Sequence, residues 1–342
     1  MHNRYTRLFS IAVLVLLAAL LGGSAVAFAQ DGHPQSTFDA AGPVAERQRD
    51  LLWFIIWVAV GILVVVEGAL IYAIIRYRRR PRQAGEPEPV HGHSGLEISW
   101  TIAPVLIVAA IGVFTVRTIF DLSSPPVPDA LQIKVTAYQW WWEFQYPDAE
   151  VVTANELHIP VGQVVNLNIE SQDVIHSFWV PKLAGKMDAI PNQLNQLWLR
   201  ADQSGIYWGQ CAEFCGIAHA FMRFRVIAQP EDEFQAWLQV QQQPAVTLVD
   251  DLARKGAEIF ARSACIGCHT VAGTLAQGKI GPDLTHFGDR TTLGAGILDN
   301  NPENLADWLR DPQAVKPGNR MPNLNLSEDE ISALAAYLQS LK

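Results

Sequence analysis

The chain has 342 residues, 49% of them hydrophobic, and a formal net charge of −9. That length holds two globular domains together with membrane segments. Residues 1–120 carry ten basic and eight acidic side chains, 121–249 six and fourteen, and 250–342 nine and twelve, so no basic stripe follows the membrane portion and nucleic acid is excluded as a partner. The acidic middle suits a basic protein partner, although a solvated surface is the commoner reason for such a count. Four cysteines fall into two close pairs. None is left for a stapling disulfide, so cysteine here reads as cofactor chemistry.

In chain order, Arg4 and Arg7 precede an apolar run over 8–21, and Ala25 to Ala29 supplies small residues for cleavage. This layout predicts a signal peptide over 1–29, with an uncleaved anchor as the alternative. The portion 30–120 then contains two apolar segments, 51–75 and 98–120, each long enough to cross a bilayer as a helix. Between them stand Arg76, Arg78, Arg79, Arg80 and Arg82. A short arginine-rich loop marks the cytoplasmic side, so everything after Phe120 is expected on the outer face of the cell (inner) membrane. Glu67 lies within the first span, where a charge is costly, and reads as protonated or paired in a helix-packing contact. Glu97 stands at the cytoplasmic start of the second.

From 121 to 238 the pattern changes to short alternating strands, at 131–136, 156–160, 164–170 and 221–227, separated by turn residues. A β-sandwich or Greek-key barrel is expected. The aromatics Tyr138 to Phe144 would stabilise it by burial, but three tryptophans in a row cannot all be buried on one face. At least one is expected to face outward or to lie under the loop that follows.

That loop carries Cys211, Cys215, His219 and Met222 within twelve residues, and His176, on an expected strand, offers a second imidazole. Thiolate, imidazole and thioether together favour copper over zinc, whose structural sites have no use for methionine. One cysteine would give a mononuclear blue-copper site; two thiolates can bridge two ions. A dinuclear copper centre is therefore expected, with one histidine per ion and weak contacts from Met222 and a backbone carbonyl, that of Glu213. A disulfide or a zinc site is the alternative for a bare C-x3-C.

A short helix at 230–238 and a Gln-rich linker at 239–249 lead to a second exported domain, 250–342. Cys265-Ile266-Gly267-Cys268-His269 is a c-type haem attachment motif: two thiols form thioethers and the imidazole ligates iron. Met321 is the sole methionine downstream and the preferred sixth ligand, with His286 the competitor. Ser327 with Glu330 forms a capping box opening a final helix.

Through Leu96 to Pro104, Tyr138 to Phe144, His176-Ser177-Phe178, Lys186 to Pro191 and the cysteine loop, the chain resembles subunit II of cytochrome c oxidases, over roughly 51–238. Residues 250–342 resemble a small class I cytochrome c through Gly256, Phe260 and Gly281-Pro282-Asp283-Leu284. The fold thereby implied is a two-helix transmembrane hairpin, a cupredoxin-like Greek-key β-barrel and an all-α class I cytochrome c domain, as in a caa-type oxidase. Quinol-oxidising relatives have lost the copper ligands that this chain keeps. The resemblance further implies electron entry at Trp140, a magnesium ion shared with subunit I at Glu213, and a place for Glu97 near a proton-channel entrance. It implies as partners subunit I and other oxidase subunits, and an external donor such as a cytochrome or quinol-cytochrome c reductase. The function implied is electron entry for reduction of oxygen to water coupled to proton translocation. The same module serving a nitric oxide reductase, or a tethered carrier working alone, remains open.

Overall fold

The computed structural model describes residues 34–78, 89, 91–123, 125, 127–245 and 250–342. The expected signal peptide and three of the five loop arginines, Arg79, Arg80 and Arg82, lie outside the described residues.

Helix α1 (Pro43–Tyr77) and helix α2 (Ser94–Leu122) are both long and apolar enough to cross a membrane. Phe54 of α1 packs on Phe114 of α2 with ring centroids 5.0 Å apart, as expected of an antiparallel hairpin. Both helices outrun their apolar stretches. Pro43 opens α1 eight residues before Leu51, at the first-turn position where a missing N–H costs nothing. The ring of His93 accepts from the Leu96 N–H and caps α2. At 35 residues and about 1.5 Å per residue, α1 is longer than a hydrocarbon core of about 30 Å requires. The surplus lies at its start, where Val44 and Ala45 are buried against the next domain.

Ten strands follow: β1 (Leu131–Tyr138), β2 (Trp141–Tyr146), β3 (Val151–Ala154), β4 (Glu156–Pro160), β5 (Val165–Ser171), β6 (His176–Trp179), β7 (Met187–Ala189), β8 (Asn195–Leu199), β9 (Gly205–Cys211) and β10 (Arg223–Gln229). They form two five-stranded sheets in the orders β3-β2-β1-β5-β8 and β4-β10-β9-β6-β7. The parallel pairings β1 with β5 and β4 with β10 show that the chain crosses between sheets rather than meandering. The core is aromatic. Trp142, Phe144, Phe178 and Phe224 meet mostly edge to face, the arrangement that ring quadrupoles favour. The strand expected at 221–227 begins two residues later, because 219–221 form a 3-10 turn.

Helix α3 (Glu231–Gln241) opens with three acids in its first turn, which suit the helix dipole. It runs through the first three residues expected to be linker, held by Phe234 and Trp237 against Tyr146. The last domain has α4 (Asp251–Arg262), the short α5 (Cys265–Cys268), a β11–β12 ribbon (Thr292–Leu293 and Leu298–Asp299), α6 (Pro302–Arg310), α7 (Pro312–Val315) and α8 (Glu328–Ser340). The capping box between Ser327 and Glu330 is present. Where α4 crosses α8, a Cβ on Gly256 would lie 2.0 Å from the carbonyl oxygen of Ala333. Only glycine permits that approach.

Candidate metal and haem centres

Strand β9 ends on Cys211, β10 begins at Arg223, and the ligand-rich loop is their connection. The Cys211 N–H donates to the Met222 carbonyl at 2.9 Å, so both ends of the loop meet. The Ala212 N–H donates to the Ser177 carbonyl at 2.9 Å, which ties the loop to β6 and its first residue, His176. Within this frame the two cysteine sulfurs are 3.7 Å apart. Nδ1 of His176 lies 3.8 Å from the Cys211 sulfur, and Nδ1 of His219 lies 3.5 Å from that of Cys215. The Met222 sulfur is 3.9 Å from Cys215, and the Glu213 carbonyl oxygen 3.2 Å from Cys211. The six residues expected to surround copper are brought together.

Sheet core and loop bury Cys211, Cys215, His176 and Met222. The Asp173 carboxylate accepts from Nε2 of His176 at 2.8 Å, which turns Nδ1 toward the sulfurs. Burial alone would pull His176 down, yet Asp173 and Cys211 outweigh it and its pKa is raised. Burial pushes the Asp173 carboxyl up, and N–H donors from His176, Gln139 and Val174 more than offset this. The two cysteine sulfurs lie close enough for one proton to stand between them in a hydrogen bond. Cys211 is held down to about 4, first by the Cys215 sulfur and then, against burial, by His176. Cys215 is pushed up by its partner sulfur and by burial. A cation would displace that proton and leave two adjacent thiolates. The donor set fits copper: two soft thiolates that can bridge, two imidazoles and a thioether.

Beside the loop, Nε1 of Trp140 donates to the Cys215 carbonyl at 3.0 Å and Nε2 of Gln139 to the same oxygen at 2.8 Å. Gly216 has φ +116, and a Cβ there would meet the Trp140 ring at 3.1 Å. All three tryptophans are buried. Trp142 fills the sandwich core, Trp141 stacks on Tyr138 at 4.4 Å, and Trp140 lies under the copper loop. The outer two are buried because a second domain covers them.

That domain encloses a cavity lined by Cys265, Cys268, His269 and Met321, and by Tyr138, Trp140 and Trp141 across the domain boundary. His269 donates through Nδ1 to the Pro282 carbonyl at 2.8 Å, leaving Nε2 for a metal, and burial outweighs that bond and pulls its pKa below the ordinary value. Met321 lies on the cavity, and its sulfur accepts from Nε1 of Trp308 at 3.2 Å. His286 does not compete, since it is not among the residues that line the cavity; its Nε2 donates to the Gln243 carbonyl at 3.0 Å. The wall is mostly apolar, and its polar residues include three cations, Arg290, Lys316 and Arg320. Of these, Arg290 is half-buried, and its buried Nε has no partner among the described residues. An apolar disc with carboxylates at its edge, which is what a haem is, fits these walls.

The sequence reading passed over the residues that join the domains. The Glu156 carboxylate, buried in the sandwich, accepts from the N–H and hydroxyl groups of both Thr291 and Thr292 at 2.7 to 3.2 Å. Lys316, also buried, donates to the Trp140 carbonyl at 2.7 Å and the Gly294 carbonyl at 3.0 Å. Arg225 reaches the Gly296 carbonyl at 3.0 Å. Asp173, three residues before His176, could have been suspected from the sequence; contacts between residues 71 to 176 positions apart could not. Glu213 points its carboxylate outward and only its carbonyl inward. Glu97 is exposed in the first turn of α2, outside this region.

The transmembrane-domain model of cytochrome c oxidase subunit II matches residues 32–118, its periplasmic-domain model 149–229, and the cytochrome c model 253–342. Cytochrome c oxidase subunit 2 of Alkalihalophilus pseudofirmus is 40% identical over 313 residues, which is 90% of this chain and 91% of that protein. The protein of the same name in Bacillus sp. strain PS3 is 40% identical over 349 residues, 95% of this chain and 97% of the relative. A solved periplasmic domain of cytochrome oxidase subunit II from Bradyrhizobium japonicum is 34% identical, with a TM-score of 0.34, covering 35% of this chain and 97% of that one. The subunit II domain implies copper and the cytochrome c domain implies haem. With matches spanning nearly its whole length, the chain belongs to the cytochrome c oxidase subunit II family, in the form that carries a cytochrome c domain behind the copper-binding one.

Proposed function

We propose that this chain is the electron-entry subunit of a haem-copper terminal oxidase that reduces oxygen to water and translocates protons. Bound haem and bound dinuclear copper would each supply one-electron chemistry, the first receiving electrons from an external donor and the second delivering them to haem in subunit I. Cys265 and Cys268 would hold the haem by thioethers, with His269 and Met321 on its iron. Cys211 and Cys215 would bridge two coppers, His176 and His219 would each take one, and Met222 and the Glu213 carbonyl would bind weakly. The polypeptide's work is to keep both sites dry and fixed.

One observation carries this reading. Trp140 forms part of the haem-cavity wall while its indole N–H ends on the carbonyl of copper-loop residue Cys215. Gln139 lines the cavity too and bonds the same carbonyl, but of the two only Trp140 offers an aromatic ring between the cavity and the copper loop. The contact also makes Trp140 an internal bridge, a different task from receiving a diffusing carrier. Tethering raises the donor's effective concentration at the acceptor, and the hydrogen bonds between the domains hold the two in register.

The remaining assignments follow the family. Glu213 presents an exposed carboxylate suited to a magnesium ion shared with subunit I, and Glu97 lies at the membrane end suited to proton uptake. Both working domains would face the outer side of the cell membrane, since the described arginines Arg76 and Arg78 stand at the other end of α1.

Metal analysis and spectroscopy of the intact, matured chain test the reading. A mixed-valence dinuclear copper signal beside a c-haem band is expected, with Cys215→Ser abolishing the first and sparing the second. Zinc alone, or no copper, overturns it. Trp140→Phe should slow copper reduction by the haem at least tenfold, and an unchanged rate removes Trp140 from the path.

A further inference from the structure

The loop that carries Met321 also carries Arg320, and the Arg320 guanidinium leaves its own domain. It donates to Oε1 of Gln139 at 2.6 Å and lies 3.6 Å from Oδ2 of Asp173. Each of those partners continues to a residue of the copper loop or its strand. Gln139 donates through Nε2 to the Cys215 carbonyl at 2.8 Å, and Asp173 accepts from Nε2 of His176 at 2.8 Å. The two intermediaries are joined as well, since the Gln139 backbone N–H donates to Oδ2 of Asp173 at 2.7 Å. One guanidinium therefore reaches two of the expected copper ligands through one residue apiece.

Resting on the reading that copper occupies this cluster, we propose that Arg320 is a positioning residue for the copper centre: docking of the haem domain sets the electronic character of His176 and Cys215 through Asp173 and Gln139. The physical sense is fixed by charge. A carboxylate that accepts from a ligating imidazole raises that ligand's basicity, which favours the oxidised metal. A guanidinium beside the carboxylate draws its charge away and moderates the effect. A docked haem domain thus makes the copper a better electron acceptor, and an undocked one leaves it poorer. Arg320 is half exposed, so its influence is partly screened by salt.

The test uses the full chain, loaded with copper and haem, as Arg320→Ala, Arg320→Lys, Asp173→Asn and the Arg320→Ala/Asp173→Asn pair. The populations of reduced haem and reduced copper are read from their separate optical bands at equilibrium, and the coupling of the copper spin to imidazole nitrogen is read by electron paramagnetic resonance. Arg320→Ala is expected to move the equilibrium three- to tenfold away from reduced copper, about 30 to 60 mV at 59 mV per tenfold for one electron. It also changes the nitrogen coupling, whereas Arg320→Lys keeps most of the native values. In the Asp173→Asn background the Arg320→Ala effect shrinks by more than half, and high salt moves the native protein toward the alanine variant. A haem shift with the copper signature unmoved overturns the proposal, as does an undiminished Arg320→Ala effect without Asp173. If Asp173→Asn takes up no copper, lysine behaving as alanine at 320 overturns it instead. Absence of copper from the native chain would sink the proposed function; a copper-loaded chain indifferent to Arg320 sinks only this inference.

Discussion

The copper loop and the haem cavity solve the placing of a cofactor in opposite ways. Five of the six copper-loop residues lie within twelve positions on one β9–β10 connection, and the sixth stands on the neighbouring strand. The haem cavity is walled by helices from one domain and by Tyr138, Trp140 and Trp141 of another. The first is a local site that the sandwich would build unaided. The second is completed only by docking, so its stability and the proposed electron path depend on the same contacts.

This contrast can be broken most severely at the attachment motif. Cys265→Ser with Cys268→Ser removes the covalent anchor of a group that the core of residues 250–342 surrounds, a loss larger than the 2 to 5 kcal/mol of a big-to-small core substitution. Limited proteolysis should digest that domain while the copper signal of the sandwich persists. Loss of both signals together would mean that the sites are not independent in the expected direction.

Next in size is Glu156. Alanine there leaves the Thr291 and Thr292 donors without their acceptor, at a cost of about 3 kcal/mol. Denaturant unfolding, expected as one transition in the native chain, should separate into two, with the haem domain melting first. Gly216→Ala sharpens the comparison from the other side. A side chain at φ +116, pressing on Trp140, should cost about 1 to 3 kcal/mol and slow copper uptake, with the haem band unaltered.

The smallest effect concerns His158, which stacks on Trp237 at 4.0 Å and bonds Gln229. Burial, the leading influence, outweighs that bond and holds His158 below its ordinary 6.5. The unfolded chain therefore binds a proton first, and the sandwich loses stability as pH falls below about 6.5. In His158→Gln the melting temperature should fall less steeply between about pH 6.5 and 5, because that titration is gone. An identical slope would place the acid sensitivity elsewhere.

Much of the molecule was legible because its chemistry is local. The copper loop, the Cys265–His269 motif, the Ser327–Glu330 cap and the apolar spans each declare themselves within a short stretch, where residue type and spacing suffice. Boundaries were less legible. Residues 43–50 lie before the apolar segment expected at 51–75 but continue α1, because the sandwich rather than lipid receives Val44 and Ala45. The tryptophan run was legible as far as alternation reaches: three rings cannot share one face, and Trp140 lies under the copper loop, while the cover that a second domain gives Trp140 and Trp141 had no local signal. Glu156, Lys316 and Arg320 carried no signal at all, for a lone charge in a sequence looks like a solvated one until its distant partner is known.

Where the hairpin meets the sandwich, the Ala41 N–H donates to the Lys182 carbonyl, the Ala45 N–H to the Leu183 carbonyl, and Nε1 of Trp198 to the Leu122 carbonyl. Both membrane helices are thus bolted to the β-domain at their outer ends instead of trailing from it on a leash. The β-domain that carries the copper loop is thereby fixed to the ends of both helices. Electron tunnelling falls off exponentially with gap width, and a rigid stand-off of this kind would spare the onward transfer from the bobbing of a tethered head.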